Sequence, residues 1–172
     1  GQRLARALNQ AGPSFIKLGQ ALSTRADILG DELSKDLSEL QDRLPSFSGA
    51  EARATIEDEF GSALKELFQE FDDEAVAAAS IAQVHFAVTT DGEPVAVKVL
   101  RPGVEEAFKR DLELFQAIAR VIERTRSELR RLKPVETVET FAETVELEMN
   151  LQFEAAAAAE LAENFMGDPN FQ

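Results

Sequence analysis

Apolar residues recur at three- and four-residue intervals through the first part of the chain: Leu4, Leu8, Phe15 and Leu18, then Leu33, Leu37, Leu40 and Leu44 before Pro45. That spacing gives a helix one face to bury, so residues 1 to about 70 read as helical. Ser48 followed by Glu51 predicts a capped helix from Ser48 to Gly61, because the serine hydroxyl and the glutamate carboxylate each satisfy an amide left open at a helix start. Near residue 80 the period changes. Ile81, Gln83 and Phe86 to Val88 precede Thr89-Thr90-Asp91-Gly92-Glu93-Pro94, and Val95 to Leu100 follow as a short β-branched run. Asp-Gly between two such runs signals a hairpin. Alternation sets Ala96 and Lys98 on one face of the second strand and Val95, Val97 and Val99 on the other. Three or four strands are expected, confined to about residues 73 to 100. After Arg101-Pro102-Gly103 the residues Val104, Phe108, Leu112, Phe115, Ile118, Ile122 and Leu129 keep the spacing of one long helix. Pro134 opens another, running to about Phe165 with Ala155 to Ala159 as a helix-favouring run, and Gly167-Asp168-Pro169-Asn170 breaks it.

Composition narrows the function classes. With 18 lysines and arginines against 32 aspartates and glutamates, the chain carries a formal charge of −14. A sequence-independent nucleic-acid binder neutralises phosphates with clustered positive charge, so nucleic acid is not expected as a partner. The absence of cysteine rules out a disulfide framework and thiolate metal sites, and a lone histidine, His85, makes zinc improbable. His85 has no acidic or nucleophilic neighbour in sequence and reads as a strand residue. No apolar run approaches about eighteen residues and the N-terminus lacks a signal-peptide core, so a cytoplasmic segment is expected. A longer parent could bring it to the inner membrane surface.

Val95-Ala96-Val97-Lys98 carries the chemistry most plainly. It matches the strand of protein kinases whose lysine pairs with nucleotide phosphates and with a helix glutamate, beside a small residue that leaves room for adenine. Lys17 and Gln20 are three apart and share a helix face, and Gly19 between them costs a helix about 1 kcal/mol relative to alanine, which suggests that something approaches closely there. In the last helix Phe141, Val145 and Met149 form an apolar stripe, with Glu148 at its edge and Glu143 and Asn150 on the far side.

The place of a kinase's glycine-rich phosphate loop is taken here by Ala77-Ala78-Ala79-Ser80-Ile81-Ala82-Gln83-Val84-His85, which resembles the alanine-rich loop of the UbiB family of atypical kinases, also called the ADCK or ABC family. Further matches follow in order. Phe15-Ile16-Lys17-Leu18-Gly19-Gln20, with Ser23-Thr24-Arg25 and Asp27, resembles the KxGQ signature. Leu40-Gln41-Asp42 with Pro45 resembles the next segment, Lys98 to Val104 the strand-to-helix passage, and Phe153-Glu154-Ala155 a Glu-Ala step. Glu148-Met149-Asn150 aligns with a Glu-x-Asp motif, from which this chain departs at Asn150.

The resemblance implies an α+β fold: a kinase-like small lobe, residues 71–172, behind a helical extension, residues 1–70. It implies ATP binding through Lys98, Ala96 and the loop residues Ala77, Ala78, Ala79 and Ser80. Lys17 and Gln20 would act at the catalytic site by lying across the place of a peptide substrate, and either Glu143 or Glu148 would pair with Lys98. A catalytic Asp, an Asn for metal and a DFG-type Asp are expected beyond residue 172, and with them the ligands of Mg2+. The expected function is that of the front part of an ATPase tied to ubiquinone or isoprenoid-quinone biosynthesis, with quinone-biosynthesis proteins or a lipid surface as partners. The rival is a non-catalytic protein- or lipid-binding helical module with a degenerate lobe.

Overall fold

The computed structural model describes residues 2–38, 40 and 44–166, and within it the chain divides into two compact units, Gly1–Leu114 and Phe115–Gln172. Gln41 and Asp42 of the resemblance, and the break at Gly167 to Asn170, lie outside the described residues.

The first unit begins with α1 (Gln2–Ala11), α2 (Pro13–Ser23), α3 (Ala26–Leu29) and α4 (Asp31–Ser38). The apolar period from Leu4 to Leu18 is split at Gly12-Pro13, because proline at the first helical position starts a helix and cannot continue one. The four helices pack on one another, with Ile16 of α2 and Leu37 of α4 fully buried. Gly19 is where α2 comes closest to its neighbours, since a Cβ there would run into the side chains of Leu40 and Leu8. The close approach expected of that glycine is therefore internal packing.

Helix α5 (Gly49–Phe60) starts as the sequence predicts: the Ser48 hydroxyl accepts from Glu51 N–H, and the Glu51 carboxylate accepts from Ser48 N–H. Gly61 ends it in the left-handed conformation. Then α6 (Leu64–Leu67) runs directly into β1 (Phe68–Phe71), which is followed by β2 (Ala77–Ala78), β3 (Ala82–Thr89) and β4 (Pro94–Leu100). The four strands form one antiparallel sheet in which β3 pairs with β1, β2 and β4. Strand β1 lies ahead of the expected window of residues 73 to 100; with four residues and no turn before it, it shows no measurable alternation. Ala52 and Ile56 of α5 pack with Leu64 and Val99 to form the core under the sheet, ringed by Phe47, Leu67, Phe68, Phe71 and Val97. Burying each large aliphatic side chain there contributes about 1.5–3 kcal/mol. Although α5 falls within residues 1–70, it thus packs on the sheet.

The hairpin β3–β4 turns at Asp91-Gly92, with Gly92 at φ +87 and its N–H bonded to the Thr89 carbonyl at 2.9 Å. A positive φ there suits glycine, which has no Cβ to clash.

Helix α7 (Val104–Thr125) leaves the sheet. It stops before Leu129, which falls in a 3-10 segment, Ser127–Leu132, so the single long helix read from the sequence ends early. In the second unit α8 (Pro134–Met149) and α9 (Leu151–Asn164) replace the one helix expected to Phe165. The chain breaks at Asn150, whose φ of −83 and ψ of 87 are not helical. Its side-chain oxygen accepts from Gln152 N–H at 3.1 Å and so caps α9. Phe115 meets Phe141 in this unit with ring centres 6.3 Å apart, and Val138 and Val145 are buried on the same helix. Among the described residues no helix is long and apolar enough to cross a membrane.

Candidate functional site

The register of the sheet gathers the residues singled out in sequence. Ala77 of β2 lies opposite Val84 of β3, and Val84 lies opposite Lys98 of β4. Residues directly opposite in an antiparallel pair point to the same side, so Ala77, Val84 and Lys98 make one row. With adjacent strands about 4.8 Å apart, the row is roughly 10 Å wide at the backbone. One step along, Phe86 lies opposite Ala96 on the same side. Ala77, Phe86, Ala96 and Lys98 are all exposed, whereas Gln83, His85, Ala87 and Val99 on the other side are buried. The alternation expected of β4 is therefore observed, with Lys98 on the open face.

The open face is not uniform along its length. At the hairpin end, Phe86 and Ala96 border a cleft of about 430 Å³ that also has Glu70 and Asp72 in its wall. An anionic group is thereby disfavoured at that end and favoured beside Lys98.

The loop joining β2 to β3 is held from beneath. Ala79 N–H bonds to the Ala82 carbonyl at 2.8 Å, closing a tight turn over Ser80 and Ile81. Arg101 then takes three successive carbonyls: its guanidinium donates to Ala79 O at 3.4 Å and Ser80 O at 3.3 Å, and its backbone N–H donates to Ile81 O at 2.8 Å. The same guanidinium reaches Pro45 O at 2.9 Å and lies 5.3 Å from the Phe47 ring centre. Burial pulls Arg101 below the ordinary arginine value, and the nearby Glu51 carboxylate opposes that shift. Ser80 is fully buried as a whole residue, so neither its hydroxyl nor its backbone is open to a ligand here.

A second polar cluster ties the same loop to residue 47. The Gln83 amide oxygen accepts from Phe47 N–H at 3.0 Å, and its NH2 donates to Phe47 O at 3.2 Å. Gln83 Nε2 also lies 2.8 Å from His85 Nε2, and His85 Nδ1 lies 2.8 Å from Asp72 O. His85 is fully buried and stacks on Phe71 at 5.0 Å, a structural strand residue as its sequence context suggests.

Lys17 and Gln20 occupy the half-buried part of α2, and Gln20 Nε2 donates to Leu40 O at 3.4 Å. That contact lies within the helical extension. Glu143 and Glu148 are both exposed on α8 of the second unit, while Phe141 and Val145 are buried as the apolar stripe predicts. The structure thus unites Ala77, Ala78, Ala79, Ser80, Ala96 and Lys98 in one sheet and its connecting loop, while Lys17 and Gln20 lie on another element. Gln83 and Arg101 were not singled out in sequence. A glutamine at an inward position of an alternating strand was the one available signal, and Arg101 gave none.

Comparison with known proteins identifies the family and the fold. Residues 39–172 match the ABC1 atypical kinase-like domain. Two curated relatives, both described as probable protein kinase UbiB, are that of Marinobacter nauticus, 46% identical over 98% of this chain and 31% of its own length, and that of Shewanella loihica, 47% identical over 96% of this chain and 30% of its own. The chain thus spans about a third of these relatives. Among solved structures, the Mycobacterium tuberculosis protein Rv3197 in its complex with erythromycin superposes with a TM-score of 0.60 at 30% identity, covering 88% of this chain and 38% of that one. With its small antiparallel sheet, its alanine-rich turn and a match over most of its length, the chain belongs to the ABC1 atypical kinase-like family, of which the UbiB proteins are members.

Proposed function

We propose that this chain is the nucleotide-holding front part of an atypical kinase-like ATPase that serves ubiquinone or isoprenoid-quinone biosynthesis. The observation that carries the reading is the row Ala77, Val84 and Lys98, which sets a cation beside the alanine-rich loop on an open sheet face. In this reading the Lys98 ammonium balances the phosphates of ATP, and Ala96 leaves room for the base toward the Phe86 end, where Glu70 and Asp72 repel phosphate. The groups present suit a nucleotide but not its metal: among the described residues no cluster of three or more His, Cys, Asp or Glu could hold an ion. Ligands for Mg2+ are assigned to the remainder of the parent protein.

Two further roles rest on the family resemblance. Lys17 and Gln20 restrain access of a peptide substrate, and Glu143 or Glu148 supplies the counter-charge to Lys98. Quinone-biosynthesis proteins or a lipid surface are the partners this reading assigns to the parent.

The test is calorimetric titration of the full-length protein with ATP and magnesium, with phosphate release measured in parallel. Lys98→Ala should weaken ATP at least tenfold and abolish release. The 172 residues alone should bind ATP weakly or not at all and release no phosphate, because an alanine loop has fewer accessible conformations than a glycine loop. Unchanged affinity in Lys98→Ala would overturn the reading and leave a non-catalytic binding module as its replacement.

A further inference from the structure

We propose that the cavity lined by Arg120, Arg124 and Arg130 binds a phosphate group. All three residues belong to the second unit, whereas Lys98 belongs to the first, so this is a further site, independent of the nucleotide reading above.

Positive charge is concentrated here. Arg120, Arg124, Arg126, Arg130, Arg131 and Lys133 fall between residues 120 and 133 of a chain whose formal charge is −14, and from Pro134 to Gln172 there is neither lysine nor arginine. A run of like charge is ordinarily a solvated face; this one folds around a hollow. Arg120 and Arg124, four apart, share a face of α7. The 3-10 segment then turns back on that helix, and Arg130 Nε donates to Glu123 O at 2.6 Å. Lys133, at φ +47, reverses the chain into α8, a left-handed conformation that costs a residue with a Cβ about 1–2 kcal/mol. Val135 N–H, at the start of α8, reaches the Glu123 carboxylate at 3.3 Å. These turns border about 480 Å³, with Arg120, Glu123, Arg124, Arg130 and Val135 in the wall.

The three guanidiniums are available to an anion. Although the chain holds 32 aspartates and glutamates, none of the three forms an ion pair among the described residues. Glu123, the carboxylate in the wall, has one oxygen engaged by Val135 N–H. Arg120 Nη2 donates to Gln116 Oε1 at 3.2 Å and Arg130 uses its Nε, so both side chains are held while each keeps further N–H donors. Each fork fits two oxygens side by side. Three forks exceed what a carboxylate can accept and match the oxygens of a phosphate, and their charge outweighs that of Glu123. The negative charge of the whole chain opposes an anion only from a distance, where salt at physiological strength screens it beyond about 8 Å. The hollow lies within the range of about 300–1,000 Å³ of small-molecule sites, room for a pyrophosphate or for the phosphate of a lipid headgroup.

The test titrates pyrophosphate into the full-length protein carrying Lys98→Ala, at physiological salt, so that the sheet face does not contribute. In that background Arg124→Gln should weaken binding about tenfold, the loss of charge-assisted hydrogen bonds, and Arg120→Gln and Arg130→Gln should act likewise. Arg126→Gln and Arg131→Gln remove the same charge outside the cavity wall and should stay within about twofold, because exposed charges at a distance are screened. Arg130 also ties the 3-10 segment to α7, so if Arg130→Gln does not fold, the exposed Arg124 carries the test, with thermal midpoints as the check on folding. Sedimentation with phosphatidylglycerol vesicles identifies the source of the phosphate. Pyrophosphate binding without vesicle binding assigns the cavity to a free phosphate compound, and vesicle binding that Arg124→Gln weakens assigns it to a headgroup; either result supports the site. The proposal is overturned if neither probe binds or if binding survives all three cavity substitutions in folded protein. It is also overturned if Arg126→Gln costs as much as Arg124→Gln, which would make the segment a diffuse basic surface.

Discussion

Gln83 fixes the tautomer of His85. Its amide cannot be turned over, because its oxygen accepts from Phe47 N–H and its NH2 donates to Phe47 O. The NH2 is therefore what faces His85 Nε2 at 2.8 Å, so that ring nitrogen accepts, and Nδ1 carries the hydrogen donated to Asp72 O. Nitrogen NMR should report the Nδ1–H form, and an Nε2–H form would refute the assignment. Gln83→Glu removes both donated bonds at a buried position, and unfolding in urea should show a loss of about 2–5 kcal/mol.

Gly19→Ala sets two effects against each other. Alanine favours a helix interior by about 1 kcal/mol. The added Cβ must displace the side chains of Leu40 and Leu8, and overpacking of that kind costs about 1–3 kcal/mol. The variant should lose about 1 kcal/mol on balance, and Gly19→Val more, as measured by denaturant midpoint. A Gly19→Ala protein more stable than the parent would show that the α2 crossing is loosely packed.

What could be read from the sequence was whatever depended on near neighbours. Ser48 and Glu51 declare a capping box within four residues, and the alternation of Val95 to Val99 fixes which side Lys98 takes. The glycine of Lys17-Leu18-Gly19-Gln20 announced a close approach without saying what approaches. Strand β1 was missed because its four residues earn their state by pairing with Phe86 to Thr89 rather than by a pattern of their own. Arg101 was passed over because one of its partners, Pro45, lies 56 residues away, and backbone carbonyls leave no mark on a sequence.

Asn150 stands where the resembling motif has aspartate, and it serves as the cap of α9. Either residue offers an oxygen to the Gln152 N–H, so Asn150→Asp should leave thermal stability nearly unchanged while Asn150→Ala should cost about 1 kcal/mol. An equal loss in both variants would show that the amide nitrogen of Asn150 matters and that capping is not its role.

The capping box of α5 should respond to acid. The Ser48 hydroxyl, and then the Ser48 N–H, hold the Glu51 carboxyl below the ordinary glutamate value, with Arg101 adding to the effect. Because the folded value is the lower one, the contribution to stability is present above the ordinary glutamate range near 4.3 and is lost as the pH falls through the folded value. Stability measured from pH 6 downward should decline less in Glu51→Gln than in the parent. Parallel curves would mean that the carboxylate contributes nothing.

The turn at Gly92 has an effect at a distance. Residues 90–93 join β3 to β4 and so set their pairing in step, with Val84 against Lys98 at the far end of the hairpin. A slip of one residue exchanges the two sides of a strand. Shortening this loop by one residue would turn Lys98 inward onto Ala52, Ile56 and Leu64 and bring a valine out in its place. The loop works like a reading frame for the strand: residues with no chemistry of their own decide whether the cation is offered to a ligand or driven into the core.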